Sequence, residues 1–178
     1  MNLTTEEEIR FNTVIRVAEE MLTAARTAPK AKGVDNLVLA MATGVDIEEV
    51  ALKMEEIGKR GDGIPNFLRD AGNIRKAQSL LILGTRIKSQ GAKFCGRCGF
   101  EDCSEKDEHP DFPCTFNAGD LGIAIGSAVS VAMDHRVDSR VMYTIGVAAL
   151  EMKLLGEDVK IAFGIPLSVS AKSPFFDR

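Results

Sequence analysis

An α/β fold is what this sequence predicts, and three observations carry it. Apolar residues make up 45% of the 178, with nine Phe and no Trp, so the core must be built from Ile, Val, Leu, Met, Ala and Phe. Stretches with helical spacing alternate with short, continuous apolar runs of strand length. No repeat, low-complexity tract or shift in composition marks a second unit, so residues 1–178 are expected to form one domain, long enough to bury most of its apolar surface.

The elements follow in order. Thr4 or Thr5, with Glu7 or Glu8 three residues on, forms a capping box, and Val14, Ile15, Ala18, Met21, Leu22 and Ala25 recur at helical spacing. A long amphipathic helix is therefore predicted to about Ala28, stopped by Pro29. Lys30 to Gly33 reads as a basic turn, and Asn36 to Met41 as a short buried strand. Asp46 with Glu49 resembles a second capping box, ahead of a helix whose stripe is Val50, Met54 and Ile57 and which Gly58, Gly61 and Gly63 end. Phe67-Leu68-Arg69 fits either a strand or a helical turn, whereas Ser79 to Gly84 is continuously apolar, as in a central strand covered on both faces.

Gly91 to Pro113 has neither period and collects Gly, Pro and charge, so 91–116 reads as an inserted loop. Leu121, Ile125, Ala128, Val129, Ala132 and Met133 then share one helix over Asn117 to Asp134, with Gly119, Gly122, Gly126 and Ser127 small enough for another backbone to come close. That helix is expected to be buried, either within the chain or across a dimer interface. A further helix is predicted over Ser139 to Leu155, stopped at Gly156, with Asp134, Asp138 and Arg140 as an ion-pair cluster near its start. A half-buried strand follows from Val159 to Ile165 and is expected to end at Pro166. The tail Pro174-Phe175-Phe176 is apolar enough to need a surface to dock on.

Charge narrows the function. A net charge of −4 and a pI near 5.3 give no basic patch to neutralise phosphates, which argues against nucleic acid as a partner. The N-terminus is acidic where a signal peptide is basic, and no apolar run is expected to reach membrane-spanning length, so a cytoplasmic protein off the membrane is expected.

All four cysteines fall close together, at Cys95, Cys98, Cys103 and Cys114. In a reducing compartment that favours metal ligation over disulfides. Four thiolates complete either a tetrahedral zinc or an iron–sulfur cluster, and the C-x2-C-x4-C-x10-C spacing leaves both open. His109, between the third and fourth cysteines, can replace one sulfur in a zinc site. Other chemistry has little support: His109 and His135 are isolated from any nucleophile, and Gly119 to Gly126 lacks the spacing of a dinucleotide fingerprint.

The string from Cys95 to Cys103, with Cys114 beyond, resembles the four-iron four-sulfur motif of a family of bacterial and archaeal ferredoxin-domain proteins. Residues 24–36 and 137–149 resemble that family's characteristic stretches as well. More distantly, Ala24 to Pro29, the Gly-rich helix and Gly164-Ile165-Pro166 are similar to the nitroreductases, homodimeric flavoproteins. The resemblance implies a nitroreductase-like α/β (α+β) fold, a mostly antiparallel sheet flanked by helices, with the 4Fe-4S loop inserted. It also implies a homodimer and an FMN pocket beginning at the turn of Arg26, Lys30, Lys32 and Asn36. The family's N-terminal Arg-x-Ser-x-Arg stretch is replaced here by Met1 to Thr5, so weak or absent FMN is expected, and the turn's cations are either an anion site or solvated charges. The implied function is redox or electron transfer, possible flavin-linked reduction of a small molecule included, with an electron donor or acceptor protein or a small-molecule substrate as partner. The alternative is a binding module with a structural zinc.

Overall fold

The computed structural model describes residues 1–61 and 64–176. Its first element, α1 (Glu6–Thr27), begins where the capping box resolves to Thr5 and Glu8: the Thr5 side chain accepts from Glu8 N, and the Glu8 side chain accepts from Thr5 N at 3.0 Å. One 3-10 turn, Ala31–Gly33, leads into β1 (Leu37–Ala42). Then come α2 (Val45–Gly58), α3 (Pro65–Ile74), β2 (Ser79–Arg86), α4 (Cys103–Asp107), α5 (Thr115–Asp134), β3 (Asp138–Ser139), α6 (Tyr143–Glu151) and β4 (Val159–Ser168).

The four strands form one antiparallel sheet in the order β1-β2-β4-β3. The unbroken apolar run of β2 is explained by that position. Leu80 and Ile82 point to a core shared with α2, α3 and α6, while Leu81 and Leu83 point to a second core shared with α1 and α5. A strand alternates its side chains between two faces, so a strand covered on both has no polar phase. Helix α6 lies so close to β4 that a Cβ on Gly146 would come within 1.8 Å of the Ala162 carbonyl oxygen, which only a glycine avoids.

Several expectations are corrected. No second capping box exists: α2 starts at Val45 behind Gly44, whose φ of +54° turns the chain, and Asp46 lies inside the first turn. Phe67 to Arg69 belong to a helix, with Pro65 at its start. Gly58 closes α2, and Gly61 follows at φ +58°; Gly63 lies outside the described residues. The helix expected from Ser139 starts four residues later, because Asp138 and Ser139 pair with β4 instead. Arg140 joins no acidic cluster; its Nη1 donates to the Phe175 carbonyl at 2.6 Å and its guanidinium lies over the Phe176 ring. The tail thus docks on its own chain, with Phe175 fully buried.

Strand β4 also runs through Pro166. Gly164 N donates to Met142 O, and two residues on Pro166 faces the same side. The ladder there is interrupted between Met142–Gly164 and Ser139–Leu167, so no partner is waiting for the missing N–H.

Helix α5 is long and apolar enough to cross a membrane by length and composition, against the expectation that no stretch approaches this. Its buried face, Leu121, Ala124, Ile125, Ala128 and Ala132, packs in the same core as Val14, Val17 and Met21 of α1. Met133, expected on that face, is exposed, and a Cβ on Gly119, Gly122 or Gly126 would meet nothing within 4 Å among the described residues.

Candidate metal centre

The link from β2 to α5 holds all four cysteines, and its local turns are built from side-chain caps and left-handed residues. Phe94, Gly96 and Gly99 all have positive φ, and Gly99 N donates to Gly96 O at 3.2 Å, which folds Cys95 to Cys98 into a tight turn. Where no period was expected, Asp102 caps a short helix: its Oδ1 accepts from Ser104 N at 2.8 Å and Glu105 N at 3.0 Å, and that helix opens with Cys103. Cys114 is the N-cap residue of α5 and is buried. Thr115 Oγ1 donates to Arg97 O at 3.0 Å, tying the first turn to the start of α5.

These bonds bring the cysteines to one place. Cys95, Cys98, Cys103 and Cys114 line a single cleft together with Ser89, Gln90, Asp102 and Lys106. The space, open mouth included, is about 330 Å3. Among the described residues no three His, Cys, Asp or Glu side chains converge tightly enough to hold one metal ion. All four thiols are free. His109 is not part of the lining; it stacks on Phe100 at 5.2 Å, with Phe112 edge-on to both rings.

Two lining residues carry no signal in the sequence. Lys106 is buried, and its Nζ has Asp107 Oδ1 at 3.5 Å. Gln90 is buried too, and its Nε2 has no hydrogen-bond partner. Asp107 is held below the usual carboxylate range, chiefly by the Ser89 hydroxyl, which donates to it at 2.6 Å. Only the three-residue step from Cys103, which stacks Lys106 one turn further on the same short helix, placed it near a ligand at all.

The second candidate, the turn after α1, looks different. Lys30 Nζ donates to the carbonyls of Arg26 at 2.6 Å, Ala28 at 2.9 Å and Ala25 at 3.4 Å, so it caps the end of its own helix. Arg26 Nη1 pairs with Asp35 at 2.5 Å and donates to Leu37 O at 3.2 Å. Burial alone would raise the Asp35 carboxyl, but Arg26 and the Leu37 N–H together hold it low. Lys32 Nζ donates to Gln90 O at 3.0 Å. Asn36 is buried with its Nδ2 unpartnered, and Asp120 on α5 accepts from Ala31 N at 3.0 Å. As placed, the three cations fit a phosphate poorly.

Comparisons with known proteins bear on the family and the fold. A protein of Archaeoglobus fulgidus, described as an uncharacterized protein, is 41% identical over 183 residues, which covers 99% of this chain and 97% of the relative. The family model described as an uncharacterized protein containing a ferredoxin domain matches residues 111–178. The chain belongs to this ferredoxin-domain family. The family match begins just before Cys114 and takes in α5 to β4, so it includes one of the four cysteines.

Among solved structures, a nitroreductase with bound FMN from Bacteroides fragilis superposes with a TM-score of 0.61 at 14% identity, over 88% of this chain and 77% of that one. A nitroreductase with bound FMN from Desulfitobacterium hafniense gives 0.61 at 12%, over 96% and 81%. A BluB-like flavoprotein from Clostridium difficile gives 0.56 at 16%, over 98% and 85%. The ferredoxin-domain chain therefore has the nitroreductase fold, a mixed α/β fold with an antiparallel sheet, as its sequence predicts. The family description names a ferredoxin domain, and the likeness to the nitroreductases shows the fold.

Proposed function

We propose that this chain is an iron–sulfur redox protein in which Cys95, Cys98, Cys103 and Cys114 hold one four-iron four-sulfur cluster. The observation that carries the reading is the single cleft lined by all four cysteines. Sulfurs around one zinc lie about 3.8 Å apart, given bonds of about 2.3 Å in a tetrahedron, whereas a cubic cluster needs a wider ring of thiolates. A structural zinc is the competing occupant, and metal and sulfide analysis separates the two. The loop 91–116 then acts as an insert on a single domain of residues 1–178.

When bound, the cluster supplies a one-electron couple whose potential depends on burial and on hydrogen bonds to sulfur. The chain's own contributions are specific. The turn at Gly96 and Gly99 sets the spacing of the first two thiolates, the Asp102 cap orients Cys103, and the start of α5 fixes Cys114. The Phe100, His109 and Phe112 rings pack together on the outside of the loop.

The partner in this reading is an electron donor or acceptor protein, or a small molecule reduced in the cytoplasm; neither nucleic acid nor a membrane takes part. Flavin is given a minor place. An FMN at Arg26, Lys30, Lys32 and Asn36 would have to displace contacts that those cations already make, so binding there is weak and no step is routed through it. We assign the open glycine face of α5 to a homodimer interface, because Ile123 and Met133 stand exposed beside glycines whose Cβ positions are open among the described residues. Sedimentation showing a strict monomer at high concentration would remove that assignment.

Anaerobic purification, with iron and acid-labile sulfide analysis and an absorption spectrum, tests the central claim. About four irons and four sulfides per chain with broad charge-transfer absorption is the expected result. A colourless protein with one zinc would sink it.

A further inference from the structure

Among the described residues, Lys106 is the one lysine or arginine that is buried, with 4% of its side chain exposed. Its charge is poorly met by the protein. The recorded contact is one oxygen of Asp107 at 3.5 Å, a long one, and that carboxylate is 60% exposed and already takes the Ser89 hydroxyl. An ammonium has three donors, and burying one without close acceptors is costly unless an opposite charge is supplied nearby. Gln90 repeats the situation with a neutral donor, since its buried Nε2 has no partner. Gln90 comes from the link after β2, anchored by Lys32 at its carbonyl, and Lys106 from the far side of the loop on α4. Both line the cleft that the four cysteines line.

Two unmet donors on one sulfur-lined cleft have a common explanation. Four thiolates make a bound cluster a net anion, and one-electron reduction adds a further negative charge. A buried cation favours the more negative form, because Coulomb attraction is little screened where water is excluded. Resting on the cluster reading, we propose that Lys106 is a positioning residue for the cluster's charge: it stabilises the reduced form and raises the reduction potential, with the Gln90 amide as a second donor to sulfur. The competing role is structural, a lysine stem filling space under the loop.

Full-length protein, purified anaerobically and titrated with dithionite in the presence of mediators under EPR detection, separates the two roles. Lys106→Met, with iron and sulfide at the wild-type ratio, is expected to shift the oxidised-to-reduced ratio at fixed potential about tenfold toward oxidised, about 59 mV for a one-electron couple. Lys106→Arg, which keeps the charge, is expected to stay within about threefold of wild type, and Gln90→Leu to shift by about threefold in the same direction as Lys106→Met. A Lys106→Met protein that keeps its iron, melts lower and titrates like wild type overturns the proposal in favour of the structural role. Should Lys106→Met lose its iron, Gln90→Leu decides: a shift supports the proposal and an unmoved potential overturns it. Wild-type protein without iron or sulfide overturns the cluster reading itself, and this assignment with it.

Discussion

The turn after α1 and the cysteine loop meet where Lys32 donates to the Gln90 carbonyl, and they use their cations in opposite ways. In the turn after α1, Arg26, Lys30 and Lys32 each reach a carbonyl or a carboxylate of the same chain. In the cysteine loop, Lys106 is withdrawn from water yet meets one distant oxygen, and the neighbouring Gln90 amide meets none. Positive charge alone therefore says little about binding. A cation whose donors are spent is part of the scaffold, whereas a buried ammonium without a close acceptor leaves a charge for something else to meet.

The contrast can be broken most sharply at the cysteines. Replacing any one of Cys95, Cys98, Cys103 or Cys114 by Ser is expected to lose or degrade the bound group, so iron and sulfide fall to a small fraction of wild type. Four single variants that all keep full iron and sulfide would show that these residues do not share a centre.

Next in size is the response to FMN. With the turn's cations already engaged and no N-terminal arginine pair, contacts worth roughly 1.5 to 3 kcal/mol each are missing, so half-saturation is expected no tighter than about 10 µM. Tight, stoichiometric binding would reverse that expectation. If it also survived Lys30→Ala and Lys32→Ala together, the phosphate would have to sit elsewhere.

The smallest effect sharpens the scaffold half. Lys30→Ala removes a charge and three donors from the carbonyl end of α1, where cations are favourable, at an expected cost of about 1 to 2 kcal/mol. The denaturation midpoint should fall while iron content stays constant. An unchanged midpoint would show that the capping contacts contribute nothing measurable in solution.

The sequence made some of this legible and concealed the rest for physical reasons. The central strand was readable because burial on both faces of β2 leaves no polar position between Ser79 and Gly84. The first helix was readable from its cap and its period. Pro166 misled because a proline excludes a strand only where its N–H would have been used, and whether the neighbouring strand continues is a tertiary fact. Asp138 and Ser139 misled in the same way, since two residues cannot show a period. At the site, the four ligands stood out by element type alone. The roles of Lys30 and Lys32 did not, because their partners are backbone carbonyls, which every sequence has everywhere. Nor did that of Lys106, since nothing in a polar loop announces which lysine the fold will cover.

The docked tail has a consequence for how the molecule is made. Phe175 is fully buried among the residues that α2, α3 and α6 contribute, next to one end of the chain. On the ribosome this core has to wait until Phe175 emerges before its final piece arrives, whereas α1 through β2 have emerged long before. Until then the growing protein carries an open socket the size of a phenyl ring, a vacancy of the kind that costs about 3 to 5 kcal/mol when a buried Phe is cut back to Ala. Sealing of that half of the fold is thus tied to the emergence of Phe175, long after the rest of its core.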